Sequence, residues 1–262
     1  MRRISRTIER IFYHTTKKDW DAPYAIVGDE GKSKSNLGMH LIDKWYMLLN
    51  GQCNEDDVKH LCLDREQFSL DFKDLNQYEA TDYDETDLSN KRTMSSYNYI
   101  LSKTFQVVRG ENLFIILTLP SIFDLDGFFS KRRLKGLFVV YARGKVAFYN
   151  QSRLRRIIAY NQNRMIKTTK VVPPLYYDTF PKYKGVLLDG YLEKKNDKMK
   201  QIREDMYNEI NKEEKGDRID TAIKNLKDKG FTDKEIGGIV GMTQQGINYR
   251  IKKQKTTQLY KV

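Results

Sequence analysis

The stretch YAIVGDEGKSKSNLG, Tyr24 to Gly38, passes from a short apolar strand through a loop with two glycines into a helical pattern. The helical part continues as KSNLGMHLIDKWYMLLN, with Leu37, His40, Leu41, Trp45, Leu48 and Leu49 at the spacing of one helix face. A strand that leaves through a tight loop into a helix is the opening unit of an α/β domain. The rest of the first 150 residues continues the alternation. HLCL reads as a strand, REQFSLDFKDL as a helix, YEATDYDE as a strand, TMSSYNYILSKTFQVVR as a helix, and NLFIILTLP as the continuous apolar strand of a sheet covered on both faces. GLFVVYA and KVAFYN, parted by Arg143-Gly144, form a β-hairpin. The fold class expected is α/β with a mostly parallel sheet.

Both lysines of the opening stretch can be matched to the phosphate-binding pattern G-x-x-x-x-G-K-[ST]. A literal match at Gly31-Lys32-Ser33 needs its first glycine at Ile26, inside the strand. Shifting by two residues places that glycine at Gly28, directly after the strand, and the lysine at Lys34, followed by Ser35. Ser33 then stands where the last glycine belongs. The residues expected to cradle a nucleotide are Gly28, Asp29, Glu30, Gly31, Lys32, Ser33, Lys34 and Ser35, with Lys34 on the β- and γ-phosphates and Ser35 on Mg²⁺. A second signal is Asp84-Glu85 at the end of YEATDYDE, where one carboxylate would hold the metal and its neighbour would activate water.

These parts, in this order, resemble the core of the FtsK/HerA class of DNA-pumping ATPases. They are most similar to the zonula-occludens-toxin-like ATP-binding proteins of phages and mobile elements. The resemblance covers roughly Trp20 to Tyr149. It implies a RecA-like P-loop NTPase of the additional-strand class, ATP and Mg²⁺ as ligands, Asp84 as metal ligand, Glu85 as catalytic base, and Thr118 to Ser121 in the place of the polar sensor. It also implies a ring, favoured to be a hexamer of identical subunits, in which an arginine reaches the neighbour's phosphate. Arg92, Arg132 and Arg133 are the candidates, because each follows an element expected to end near the nucleotide.

Charge is unevenly spread along the 262 residues. The net charge is +12, from 47 Lys and Arg against 35 Asp and Glu, which makes nucleic acid the first partner to consider. Twelve acidic residues between Glu55 and Asp87 face Lys59, Arg65 and Lys73, whereas fourteen basic residues between Lys131 and Gly185 face only Asp178. The basic block is interleaved with Tyr141, Phe148, Tyr149 and Tyr160, a pattern suited to phosphates and stacked bases. Cys53 and Cys62, with His60 nearby, match no zinc spacing and read as reduced structural cysteines. No apolar run is long enough to span a bilayer, and the first twenty residues lack the apolar core of a signal peptide. A cytoplasmic, virus- or plasmid-encoded chain with no membrane partner is expected.

The C-terminal part differs in composition. Leu192 to Glu214 forms a charged helix with a thin apolar stripe, and Gly216 opens a new unit. In DRIDTAIKNLKDKGFTDKEIGGIVGMTQQGINYRIKKQK, Thr232 and Thr243 are placed to cap helices, and Gly241 to make the turn between them. The arrangement resembles the sigma-factor-like and resolvase-like helix-turn-helix. Gln244, Gln245, Asn248, Tyr249, Arg250 and Lys252 then face DNA, the amides reading adenine edges and the cations meeting phosphate or guanine. The organisation expected is an ATPase domain over 1–189 with its basic DNA-facing segment at 131–185, a connector helix at 190–215, and a small all-α helix-turn-helix domain at 216–262. The function expected is a DNA-stimulated ATPase that moves DNA. The alternative is a nucleotide-switched DNA-binding regulator, a partition-type or replication-initiation protein, with little turnover.

Overall fold

The computed structural model describes residues 1–18, 20–84 and 110–259. Glu85, Arg92 and the helix expected over 93–109 lie outside the described residues. Backbone contacts divide the chain into two compact units, Met1–Asn196 and Asp197–Val262. Among the described residues, no helix is long and apolar enough to cross a membrane.

The first unit is built on a mixed sheet whose strands are β1 (Ala22–Val27), β2 (Leu61–Cys62), β3 (Ala80–Asp84), β4 (Phe114–Leu119), β5 (Gly136–Ala142), β6 (Lys145–Asn150) and β7 (Tyr176–Thr179). Their order is β2-β3-β4-β1-β5-β6-β7. The first five places in that order are held by parallel strands, and β6 and β7 are added antiparallel. The hairpin at Arg143-Gly144 joins β5 to β6 as expected, with Gly144 at φ 67° in the turn. β1 and β4 are buried along their whole length, which is why both are unbroken apolar runs.

Helices cover both faces. On one lie α1 (Arg2–Lys17), α2 (Lys34–Asn50) and the start of α6 (Leu187–Asp228), contributing Ile4, Ile8, Leu41, Trp45, Leu187 and Tyr191. On the other lie α3 (Arg65–Asp74), α4 (Gly127–Arg132) and α5 (Gln151–Asn161), contributing Phe68, Phe129, Leu154 and Ile157. The Trp45 ring stacks on Phe114 at 4.3 Å, locking α2 over the centre of the sheet.

Four helices and strands here were given no place by the sequence reading: α1, α4, α5 and β7. α1 is polar overall, but Ile4, Ile8 and Ile11 fall on one stripe and are buried. Its start is capped from a distant strand: Asp178 of β7 accepts from the Ile4 amide at 2.9 Å and from the Met1 amine at 3.0 Å. Burial pushes the Asp178 carboxyl up, but the amides of Ile4 and Thr179 and the amine outweigh it and hold the group below the usual carboxylate range. Asp178→Ala is expected to lower stability by about 1–2 kcal/mol, the range for losing a helix cap. The difference should be full above the ordinary carboxylate pKa, about 3.9, and vanish as pH falls through the lower folded value. Urea unfolding of both proteins at pH 7 and pH 2.5 measures it.

The second unit packs the end of α6 against α7 (Asp233–Val240) and α8 (Gln244–Leu259) around Ile223, Ile236 and Ile247. Thr232 and Glu235 form a capping box on α7, and Gly241, at φ 69°, ends it. α6 runs unbroken through Gly216, where the sequence reading opened a new unit, and continues to Asp228. One interior glycine costs about 1 kcal/mol relative to alanine, too little to stop a helix flanked by good helix formers.

Candidate functional site

The loop Gly28 to Ser33 lies at the carboxyl end of β1, the edge where parallel α/β sheets bind ligands. Its backbone is set by three residues. Gly28 has φ 156° and presses against β5, so a Cβ there would lie 2.4 Å from the Val140 carbonyl oxygen. Gly31 is left-handed at φ 73° with open space around it. Ser33 is left-handed too, at φ 71° and ψ 38°, the conformation a glycine in that place would take without penalty. No side chain caps the first turn of α2, and no acid lies in it. Its amides and the positive end of the helix dipole therefore face the loop, an arrangement that favours negative charge there.

The two lysines behave differently. Lys32 pairs with the Asp29 carboxylate at the exposed side of the loop. Lys34, the first residue of α2, curls back so that its Nζ donates to the Gly28 carbonyl at 2.7 Å and the Asp29 carbonyl at 3.2 Å. Burial pulls the Lys34 ammonium pKa down, and the carboxylates of Asp84, Glu30 and Asp29 oppose that pull. Lys34 thus stands half-buried inside the ring of the loop. The Arg143 side chain of the hairpin also reaches the loop, donating from Nε to the Gly31 carbonyl at 3.1 Å.

β3 supplies the acids. With a period of two, Asp82 and Asp84 project to the same face as α2, while Tyr83 packs on the other with Phe68. Asp82 is buried under α2, and a Cβ on Gly38 would lie 2.0 Å from its Oδ2. Thr118 of β4 donates to Asp82 Oδ1 at 3.0 Å. Burial, and then the charge of Asp84, push the Asp82 carboxyl well above its ordinary range. Thr118 is in register with Asp84, so the expected sensor position does sit beside the acids.

Tyr191 of α6 joins the loop to the acids. Its hydroxyl donates to Asp84 Oδ2 at 2.9 Å and lies beside the Ser35 side chain. Ser35, from the loop helix, and Asp84, from β3, are thus both neighbours of one hydroxyl. Burial and the Asp84 charge push the Tyr191 phenol up, so it is held as a neutral donor. The chain just before α6 is fixed to α2 by three contacts: Asn36 Nδ2 to the Pro181 carbonyl at 3.0 Å, His40 Nε2 to the same oxygen at 3.0 Å, and the Tyr183 amide to Asn36 Oδ1 at 2.6 Å.

Arg132 and Arg133 are placed elsewhere. β5 runs parallel to β1, so the chain must return to the amino end of β1 before entering it, and the Lys135 amide donates to the Pro23 carbonyl at 2.8 Å. Arg133 is thus roughly a strand length, about 17 Å, from the loop of its own subunit, because the five steps from Pro23 to Gly28 rise about 3.3 Å each. The basic block does not form one aromatic-lined face either. Phe148 and Tyr149 are core residues, while Tyr141 and Tyr160 are exposed. Arg164 lies 3.9 Å over the Tyr160 ring.

In the second unit, Gln244, Gln245, Asn248 and Tyr249 are exposed at the start of α8, and Lys252 follows on the same helix. Arg250 instead turns inward to pair with Asp220 of α6. The sequence reading missed Asp82, Arg143 and Tyr191. Only Asp82 had a local signal, two acids at i and i+2 in a strand otherwise fit for burial.

Ser35 and Asp84 are hard oxygen donors of the kind Mg²⁺ takes, one hydroxyl and one carboxylate. The chain matches no protein-family model, no curated protein and no solved structure in the comparisons made.

Proposed function

We propose that the protein is a P-loop ATPase that acts on DNA, working as a ring of identical subunits. The observation that carries this reading is the meeting of Lys34, Ser35 and Asp84 at the carboxyl ends of β1 and β3, with β4 between the two strands as the additional-strand, RecA-like class implies. In this reading the loop amides and the α2 amino terminus bind the phosphates, and Lys34 leaves the Gly28 carbonyl for the β- and γ-oxygens. Ser35 and Asp84 hold Mg²⁺, which when bound neutralises charge on the transferring phosphoryl group. Glu85, next to Asp84 in the chain, takes the proton of the attacking water. Thr118 keeps Asp82 oriented beneath them.

The distance of Arg132 and Arg133 from their own loop fits action on a neighbouring subunit. On the second unit, a helix-turn-helix reading assigns Gln244, Gln245 and Asn248 to base edges and Tyr249 and Lys252 to the backbone. Arg250 is assigned to holding α8 on α6. The net charge of +12 supports a polyanionic partner.

The test is hydrolysis of Mg-ATP by the purified protein with and without DNA. The motor reading expects turnover that rises at least about tenfold on adding DNA and falls with added salt, because DNA contacts to phosphates are salt-sensitive. Ser33 favours a second reading, a nucleotide-dependent switch, since a non-glycine residue stiffens the loop in its left-handed conformation. Tight Mg-ATP binding with turnover that DNA leaves unchanged would select the switch.

A further inference from the structure

We propose that Tyr191 gates the metal position of this site: its hydroxyl occupies Asp84, beside Ser35, and must withdraw before Mg-nucleotide can be seated between the two. The inference rests on the nucleotide-site reading above. Its basis is that a buried donor already occupies Asp84, one of the two groups to which the metal is assigned, and lies beside the other, Ser35. Tyr191 is 4% exposed, its hydroxyl lies 2.9 Å from Asp84 Oδ2, and Ser35 is its neighbour. A phenolic donor and a divalent cation seek the same lone pairs of Asp84, so the two compete.

The start of α6 is held in this position by several contacts. Lys194 Nζ, one turn on, donates to the carbonyls of Val58 at 3.0 Å and Leu61 at 2.8 Å, and Gly190 packs closely on Val58, where a Cβ would lie 3.0 Å from its Cγ2. Ahead of the helix, Pro181 and Tyr183 are tied to Asn36 of α2. The hydroxyl is therefore not on a freely swinging side chain. Its withdrawal has to disturb residues 187–196, and that disturbance is the physical means by which nucleotide occupancy is reported to the helix.

The experiment measures binding of a fluorescent ATP analogue to the full chain, with Mg²⁺ and with EDTA, for wild type, Tyr191→Phe and Lys34→Ala. Tyr191→Phe keeps the ring and removes only the competitor. It is expected to bind about tenfold tighter with Mg²⁺, the worth of one hydrogen bond to a charged group, and equally to wild type with EDTA. Independently of any variant, hydrogen exchange in residues 187–196 of the wild type should quicken with Mg²⁺ and the analogue, and not with the analogue and EDTA. Equal or weaker Mg-dependent binding by Tyr191→Phe, or exchange unchanged by Mg-nucleotide, overturns the gate while leaving the nucleotide site standing. Failure of wild type to bind, or binding by Lys34→Ala equal to wild type, overturns the site reading and the gate with it.

Discussion

Lys34→Ala is expected to lower the affinity for Mg-ATP by roughly 100-fold or more, whereas Lys32→Ala changes it by less than about threefold. The difference follows from where the two ammonium groups stand. Lys34 is half-buried within the loop, its carbonyl partners are ones a phosphate can replace, and a charge-assisted bond to phosphate in such a place is worth about 3 kcal/mol. Lys32 is paired with Asp29 at the exposed side, and a surface pair of that kind contributes about 0–1 kcal/mol. Titration calorimetry with Mg-ATP, beside a thermal melt to show that both variants are folded, gives the numbers. If Lys32→Ala were the variant that lost binding and Lys34→Ala bound normally, the register of the loop would be the literal G-K-S one and the assignment of Ser35 would go with it.

Gly28→Ala is expected to cost roughly 3 kcal/mol or more of folding stability, against about 1 kcal/mol for Gly31→Ala. Both positions have positive φ, so both substitutions meet backbone strain. Only at Gly28 does the new methyl also meet fixed matter, the Val140 carbonyl of β5 at 2.4 Å. A strand carbonyl in the middle of a sheet cannot retreat as a flexible side chain can. At Gly31 nothing lies within 4 Å, and strain alone remains. Urea midpoints of the two variants separate the effects. Equal losses would mean that β5 yields at Val140 and that the sheet is softer there than its pairing implies.

Local pattern was enough for the elements that carry the loop. Val27 to Lys34 is legible because a buried strand, a glycine at the strand exit and a helical apolar stripe all follow from neighbours in the chain. Asp84 is legible for the same reason, as an acid ending a buried strand. α1 was not, because Ile4, Ile8 and Ile11 are spaced among charged and polar residues, and their burial depends on a sheet formed far along the chain. Tyr191 was not legible either. The bond that makes it part of the site spans 107 residues, and nothing in its neighbourhood in the sequence marks one tyrosine among 17. Chain order did not place Arg132 and Arg133 in space: an element that follows a strand's carboxyl end still has to carry the chain back across the sheet before the next parallel strand begins.

The cap that Asp178 places on α1 also governs the order in which the protein can be made. The contact joins Ile4 to a residue 174 positions later, and no earlier part of the chain offers the same carboxylate. At a synthesis rate of about 5–20 residues per second, roughly 9–35 s pass between the emergence of the two. Through that interval Ile4, Ile8 and Ile11 have no strand cap to fix the helix that carries them, and the stripe is open to whatever binds apolar segments at the ribosome exit. The C-terminal unit has no such delay, since Ile223, Ile236 and Ile247 lie close in sequence and contacts so local form fast. During biosynthesis, then, α1 emerges well before the strand that secures it, and holding it apart from other nascent chains is the task that a chaperone would serve here.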